Sequence, residues 1–516
     1  MIDVSQFFTA FDYTLALPMV LLTLFGLGIL LIDLMLPAEW KRLNAITALA
    51  GIAFSAAGLL FRVHLPYRAA EAAHIPLDRF VRGFGGSMAM DAFAIYFFYL
   101  FLAAAAITVL MSVRYLEIER EHHGEFYALI LFSVVGMMGM ACGTDIVLLF
   151  ISLETMAIST YVLVGFLRSD RRSNEASLKY LLLGAFSSGI FAYGLSLFYG
   201  LTGSTRLQPI AARLQEHLAA NAADPIVILA LLTTATGLLF KVSAVPFHQW
   251  APDAYEGAPH SVTGYMSVAV KAAAWALLLR IFLQGMAPLR GLYLPLLVFV
   301  AIATMTGGNL AALTQNNLKR LFAYSSIAHV GYMLLGLIAG DAQNVSATGI
   351  KGILIYLLVY TFMNLGVFAV ITSLRRRDII GDEIDDISGL VFKAPTEALL
   401  MMIFLLSLAG IPPLAGFYGK YFIFLSLIET GHYYLATLAV AYVAVALYYY
   451  VRIVNAMFMR TATDTVPVSM SPGMGIALAI TGIATVGIGL YPDPFIRAVN
   501  WSLGLSQVAP VAHLLR

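Results

Sequence analysis

The chain has 516 residues, 60% hydrophobic and only 11% charged, against about 25% charged in an ordinary soluble domain. Its formal net charge of +1 argues against a nucleic-acid partner, and its single cysteine, Cys142, against an intramolecular disulfide or a cysteine-based iron–sulfur or zinc centre. Apolar runs of about twenty residues recur from end to end, each long enough to cross a hydrocarbon core about 30 Å thick. A polytopic membrane protein with little room for a soluble domain is expected.

In chain order, fourteen spans are predicted. Spans at 13–36, 42–62 and 91–113 make an N-terminal segment, residues 1–124. The opening "MIDVSQFFTAFDY" lacks the basic region of a signal peptide, so the first span is expected to stay as a helix. Next come 125–143, 146–167 with Glu154, 176–201 with Lys179, 226–250 with Lys241 and Pro246, and 261–283 with Lys271, together residues 125–285. A second group, residues 290–460, holds 293–314, 318–340 with His329, 346–374 with Lys351, 396–428 with Pro412, Pro413 and Lys420, and 433–459. A last span at 473–491 lies in the final segment, 461–516. Long unbroken runs predict an all-α fold of about 14 transmembrane helices, since barrel strands are shorter and alternate.

Basic residues favour the loops after odd-numbered spans: Lys41 and Arg42; Arg168, Arg171 and Arg172; Lys319 and Arg320; Arg375 to Arg377. The positive-inside rule puts those loops in the cytoplasm and both termini outside. Arg62, Arg68, Arg79 and Arg82 fall on the other side. Three short matches suggest an internal repeat: "ASLKYLL" at 176 with "TGIKGIL" at 348, "YVLVG" with "YMLLG", and "AVPF" with "GIPP". The first pairs Lys179 with Lys351 at an offset of 172. Spans 4–8 would then repeat as spans 9–13, and because five is odd the second copy must be inverted.

Glu154, Lys241, Lys271 and Lys420 sit well inside apolar spans. Four such residues would cost about 10 kcal/mol at helix centres, so they must be paired, hydrated or neutral part of the time. Buried ion pairs kept for packing are one explanation, but three lysines against one glutamate are unbalanced, and apolar replacements serve stability as well. A proton relay is the other. A desolvated lysine loads and releases a proton readily, with Glu154 setting the proton affinity of Lys241. Pro246, Pro412 and Pro413 interrupt two of these spans. Irregular backbone at membrane depth survives only where protein or water surrounds it, so each group should supply a discontinuous helix with a lysine near the break.

His329, flanked by Ser325, Ser326 and Tyr332, is either a relay group or a satisfied core histidine. Lys179 and Lys351 lie near span ends, where snorkelling is the default, and the repeat match makes Lys179 a further relay candidate. His248, Asp253, Glu256 and His260 are metal-ligand types, but Pro252 and Pro259 are expected to prevent helical spacing, so they are read as shaping the connection between spans 7 and 8. No phosphate loop, dinucleotide fingerprint or nucleophile elbow is present in the sequence.

Three stretches carry a resemblance: "GLLFKVSAVPFHQWAPDAYEGAPHSVTGYMSVAVKAA", "LKRLFAYSSIAHVGYMLLGL" and "GIPPLAGFYGKYFIF". They resemble the antiporter-like membrane subunits of respiratory complex I, and most closely the N-type branch of bacterial NADH-quinone oxidoreductase. The likeness covers spans 4–13 well and the first three loosely. It implies fourteen helices, two inverted five-helix units and a proton channel. Residue by residue it implies a relay of Glu154, Lys241, Lys271 and Lys420. M-type subunits carry glutamate at the position of Lys420, and L-type subunits continue into a long lateral helix. The resemblance implies neighbouring M-type and small K- and J-type subunits, with NADH, FMN, iron–sulfur clusters and quinone handled elsewhere and no cofactor or metal on this chain. The multisubunit cation/proton antiporters share the lysine pattern, so an antiporter component remains an alternative, as does a non-conducting structural subunit.

Overall fold

The computed structural model describes residues 10–75, 81–221, 224–340, 347–375, 381–461 and 470–504. Arg79, Arg376, Arg377, the first nine residues and the last twelve lie outside the described residues. Thirteen of the described helices are long and apolar enough to cross a membrane. They are α1 (Ala10–Asp33), α2 (Leu43–Ala72), α3 (Ala92–Glu119), α4 (Gly124–Cys142), α5 (Ile146–Val164), α6 (Arg171–Thr202), α7 (Pro225–Val242), α8 (His260–Gly285), α9 (Arg290–Leu313), α10 (Leu318–Ala339), α11 (Ala347–Leu374), α14 (Tyr433–Met459) and α15 (Pro472–Leu490). Between α11 and α14 lie two shorter apolar helices, α12 (Pro395–Ala409) and α13 (Ala415–Glu429).

The predicted spans coincide with these helices except where proline and loop chemistry intervene. The run 396–428 is two helices, because Gly410 takes a left-handed conformation (φ 88°) and Pro412 and Pro413 follow. The run 226–250 ends as a helix at Val242, where Ser243 is left-handed (φ 66°), so the last eight residues of that span are not helical in continuation. Helical structure at α2 runs on to Ala72, ten residues past the predicted end, through a π-helical turn at Leu59–His64. Sequence periodicity also missed the amphipathic helix Leu207–Ala220, the helix Asp493–Ser502, and one small departure from an all-α fold, the hairpin of β1 (Arg82–Gly83) and β2 (Met88–Ala89).

Helix starts follow capping rules: Asp91, Asp145, Asp170, Asp224 and Asn317 each accept a hydrogen bond from a first-turn amide, satisfying a donor that a helix leaves orphaned. α8, α10 and α11 are mostly apolar and buried on nearly all sides, as such helices must be. Packing runs in the same order twice: α4 against α5 and α6 against α7, then α9 against α10 and α11 against α13. Glycines permit the closest crossings. Gly136 of α4 meets the backbone of Ser152 and Met156, and Gly308 of α9 meets that of Tyr324 and Ala328. Each member of the second set stands 172 positions after its counterpart, the offset that separates Lys179 from Lys351.

Loops after odd-numbered spans gather at one end of the bundle. There Arg42 pairs with Glu117, Arg375 with Glu119, Arg320 with Asp253, and Lys319 with Asp382. Loops after even-numbered spans meet at the other end, where the backbones of Asp145 and Arg206 pair in a β-bridge and Arg290 reaches the Gly340 carbonyl. At that end Arg280 of α8 grips Asp91 with two hydrogen bonds, 2.7 and 2.6 Å, and the Ala141 carbonyl with a third, 2.9 Å. Arg280 is 3% exposed and Asp91 31%. Removing one partner of a buried pair costs about 3–5 kcal/mol. Arg280→Ala is expected near the low end, about 3 kcal/mol, because Asp91 keeps partial solvation. Denaturant or thermal melting of the purified protein checks this; an unchanged midpoint would show that the pair does not hold the bundle end.

Candidate functional site

Lys241 occupies the last turn of α7 and is 5% exposed. The helix end beneath it is closed by protein groups: Ala244 N donates to the Leu239 carbonyl and Trp250 Nε1 to the Phe240 carbonyl, both at 2.9 Å. Irregular backbone is therefore tolerated here without lipid contact, which answers why a proline break can sit beside a buried charge. Lys241 Nζ lies 3.4 Å from the Tyr161 hydroxyl of α5.

Glu154 stands two turns from Tyr161 on the same helix, but not in the interior. It lies on the outward stripe of α5 with the exposed Val147, Ile151 and Ile158, partly exposed itself, and accepts a 2.6 Å hydrogen bond from Ser188 of α6. No ion pair within 4.0 Å joins Glu154 to Lys241. The amine stands in the core and the carboxylate on the rim, so any field between them crosses low-dielectric protein.

Lys271 is 3% exposed and directly follows a π-helical turn, Met266–Val270, inside α8. Such turns widen a helix locally and recur at functional sites. Its amine donates to the Ser326 hydroxyl of α10 and lies 5.9 Å from the centre of the Tyr255 ring. One turn along α10, His329 is held on both nitrogens, by the Tyr356 hydroxyl and, at 3.0 Å, by the Tyr450 hydroxyl. Tyr450 also bonds Ser325 at 2.6 Å. A further turn on, Tyr332 presents its ring 5.4 Å from Lys420 Nζ.

Lys420 sits on α13 just past the second break, 5% exposed. Its amine donates to the Leu408 and Ala409 carbonyls at 2.9 and 2.8 Å. These are among the last carbonyls of α12, which have no intrahelical partner and carry the negative end of the helix dipole. The break therefore builds the site that holds the charge.

Three lysines and His329 thus lie in the protein interior, strung along α8 and α10 between the two interrupted helices. Lys179 does not join them: it is exposed and pairs with Glu175 at 2.9 Å and Asp253 at 3.0 Å. Lys351 is partly buried at the end of α11, its amine 4.5 Å from the Phe422 ring. Contrary to the spacing expectation, Asp253 and Glu256 do share a helix, Trp250–Gly257. Pro252 falls in its first turn, where a missing amide hydrogen costs nothing. Both carboxylates bind Arg320, at 2.8 and 2.9 Å. Burial pushes the Asp253 carboxyl up, but Lys179 and Arg320 outweigh it and hold the group below its ordinary range. Among the described residues no three His, Cys, Asp or Glu side chains converge as metal ligands would.

Sequence reasoning overlooked the hydroxyls that partner these groups: Tyr161, Tyr356 and Tyr450. Their signal was faint, since an intramembrane tyrosine reads as one more aromatic. Among the described residues, the buried hydroxyls of Ser187, Thr234, Ser243, Tyr255 and Ser261 have no protein partner. A site of this kind can hand protons between amines, imidazole and phenols.

Residues 143–446, more than half of the chain, match the family described as "NADH:quinone oxidoreductase/Mrp antiporter, TM". NADH-quinone oxidoreductase subunit N 1 of Koribacter versatilis (strain Ellin345) is 66% identical over 98% of both chains. Among solved structures, a chain of respiratory complex I from Thermus thermophilus with bound aureothin is 32% identical. That match covers 93% of this chain and 99% of the other, with a TM-score of 0.76. A chain of the Mrp complex from Dietzia sp. DQ12-45-1b shares the fold, with a TM-score of 0.76 at 21% identity over 95% and 98% of the two chains. Interior lysines at two interrupted helices, a family match over most of both five-helix groups and full-length relatives of one kind agree: the chain belongs to the NADH:quinone oxidoreductase/Mrp antiporter family, within its subunit N group.

Proposed function

We propose that this chain is a proton-translocating subunit of a membrane-bound NADH:quinone oxidoreductase, in which redox chemistry takes place on other subunits. The observation that carries the reading is the string of buried titratable groups Lys241, Lys271, His329 and Lys420. Each is held by a hydroxyl or a helix-end carbonyl, and among the described residues none meets a carboxylate at ion-pairing distance. Structural ion pairs would be built the other way, with each amine matched to an acid. Partnerless buried hydroxyls near the first break are where ordered water binds, since buried polar groups are otherwise satisfied. The 172-residue offset of the glycine crossings supports an inverted repeat, with the two broken helices at equivalent places.

In this cycle a neighbouring subunit changes the field at Glu154, whose outward position exposes it to such a partner. The shift alters the proton affinity of Lys241, the proton passes through water to Lys271, and Lys420 delivers it to the far side. NADH, FMN, iron–sulfur clusters and quinone belong to partner subunits in this reading. Replacing Lys241 with alanine in the assembled complex is expected to depress proton pumping in reconstituted vesicles while NADH oxidation continues. Pumping at wild-type stoichiometry would refute the role of Lys241. Sodium-dependent exchange without NADH would instead favour an antiporter, whose fold the Dietzia structure shares.

A further inference from the structure

Besides the proton that Lys241 passes to it, Lys271 needs a route to water at the bundle end, and the buried relay residues do not supply one. At the start of α8, eleven residues before Lys271, His260 is 2% exposed and binds Asp382 through Nε2 at 2.6 Å. The other Asp382 oxygen lies 3.6 Å from Lys319 Nζ, which also donates to the Ala258 carbonyl at 3.0 Å. Burial pushes the Asp382 carboxyl up, but the Lys319 charge and the His260 hydrogen bond win and hold it at about 2, so it stays ionised. Among the described residues His260 Nδ1 and the neighbouring Ser261 hydroxyl are buried with no partner. A cavity of about 190 Å³ reaches His260 from the bundle end, room for several waters at about 30 Å³ each.

Further charged residues surround this cluster. Glu119 and Arg375 pair beside Tyr115, whose ring stands edge-on to His260 at 5.3 Å. Asp170, Arg172 and Glu256 line the outer cavity. Inward, Ser267 lies two turns along α8 and bonds Asn364 of α11 at 2.6 Å; Lys271 is one turn further. The whole distance is about 16 Å at 1.5 Å per residue. Polar groups thus mark its start, middle and end.

We propose that His260, oriented by Asp382 and Lys319, is the proton-loading residue of Lys271, fed by water in the cavity at this end of the bundle. The proposal rests on the relay reading above. Asp382 accepts from Nε2–H, which leaves Nδ1 as the basic nitrogen. A cavity water protonates Nδ1, the imidazolium is stabilised by the ionised Asp382, and Nδ1 releases the proton to water leading past Ser267. The ring returns to its neutral form and one proton has moved; no oxidant or second reactant is needed.

The test uses the assembled complex in vesicles, with proton translocation per electron measured as the pH on the loading side is varied. His260→Gln keeps a donor to Asp382 but cannot carry a proton. Its translocation is expected to fall about tenfold at pH 8.5 and little at pH 6.5, because bulk protons then reach Lys271 unaided; a positioned transfer group contributes about 10²–10⁴-fold when nothing replaces it. Asp382→Asn should show the same acid-shifted profile, and Asp382→Glu should restore it. Should His260→Gln fail to assemble, Ser267→Ala is read in the same way. A wild-type profile, or an equal loss at every pH, with Lys271→Met still suppressing translocation, overturns the loading role and leaves the relay standing. Full translocation in Lys271→Met overturns both.

Discussion

Replacing Lys271 with methionine is expected to stop proton passage through this subunit while leaving the fold intact. The amine is 3% exposed, bonds a single serine hydroxyl and has no acid at ion-pairing distance. Taking such a group out of the interior removes a desolvation penalty and not a compensated pair, and apolar replacements at such sites are neutral or stabilising. Methionine matches the length of the stem, so no cavity of consequence is left. The chemistry has no such substitute: losing a positioned proton carrier costs about 10²–10⁴-fold in transfer rate. Melting midpoint and complex assembly should therefore match wild type as the ratio of protons to electrons falls several-fold or more. A wild-type ratio would remove Lys271 from the path, and a lowered midpoint would make it a structural residue.

The converse substitution is Gly416→Val, expected to remove both fold and function. Gly416 opens α13 two residues after the break loop ends, and its amide donates to the Ser407 hydroxyl of α12 at 3.0 Å. A Cβ there would overlap the Ser407 carbonyl. Backbone cannot yield as a flexible side chain does, so α12 and α13 would be forced apart at a cost of about 3 kcal/mol or more. The same crossing carries the Leu408 and Ala409 carbonyls that hold Lys420. Membrane levels of the assembled subunit should drop several-fold, with weak pumping in what remains. Wild-type levels and pumping would show that the broken helix tolerates separation and that its geometry does not position Lys420.

The two substitutions separate contributions that sequence merges. Lys271 and Lys420 were both visible as charges in oil, because a single residue inside a hydropathy run needs no partner to be noticed. Their settings were not. Lys420 is bound by carbonyls that exist only because a helix ends there, and Lys271 by a serine 55 positions away. Glu154 shows the limit most clearly. Its position along α5 was legible, but its outward direction was not, since α5 is apolar on every face and periodicity cannot orient such a helix. The span predicted to reach residue 250 failed for a related reason. Ala244 and Trp250 are as buried as the helix before them, so hydropathy runs on where the backbone turns.

Sequence alone determined what any local property could: a membrane protein of many helices, two spans broken by proline, and amines where lipid would not accept them. Only the tertiary structure decided which groups meet. Arg280 finds Asp91 across 189 positions and His260 finds Asp382 across 122. It also decided which charges face protein and which face outward. The physical reason is that transfer free energy belongs to a residue and its neighbours along the chain, whereas a hydrogen bond inside a membrane belongs to whichever helix packs alongside.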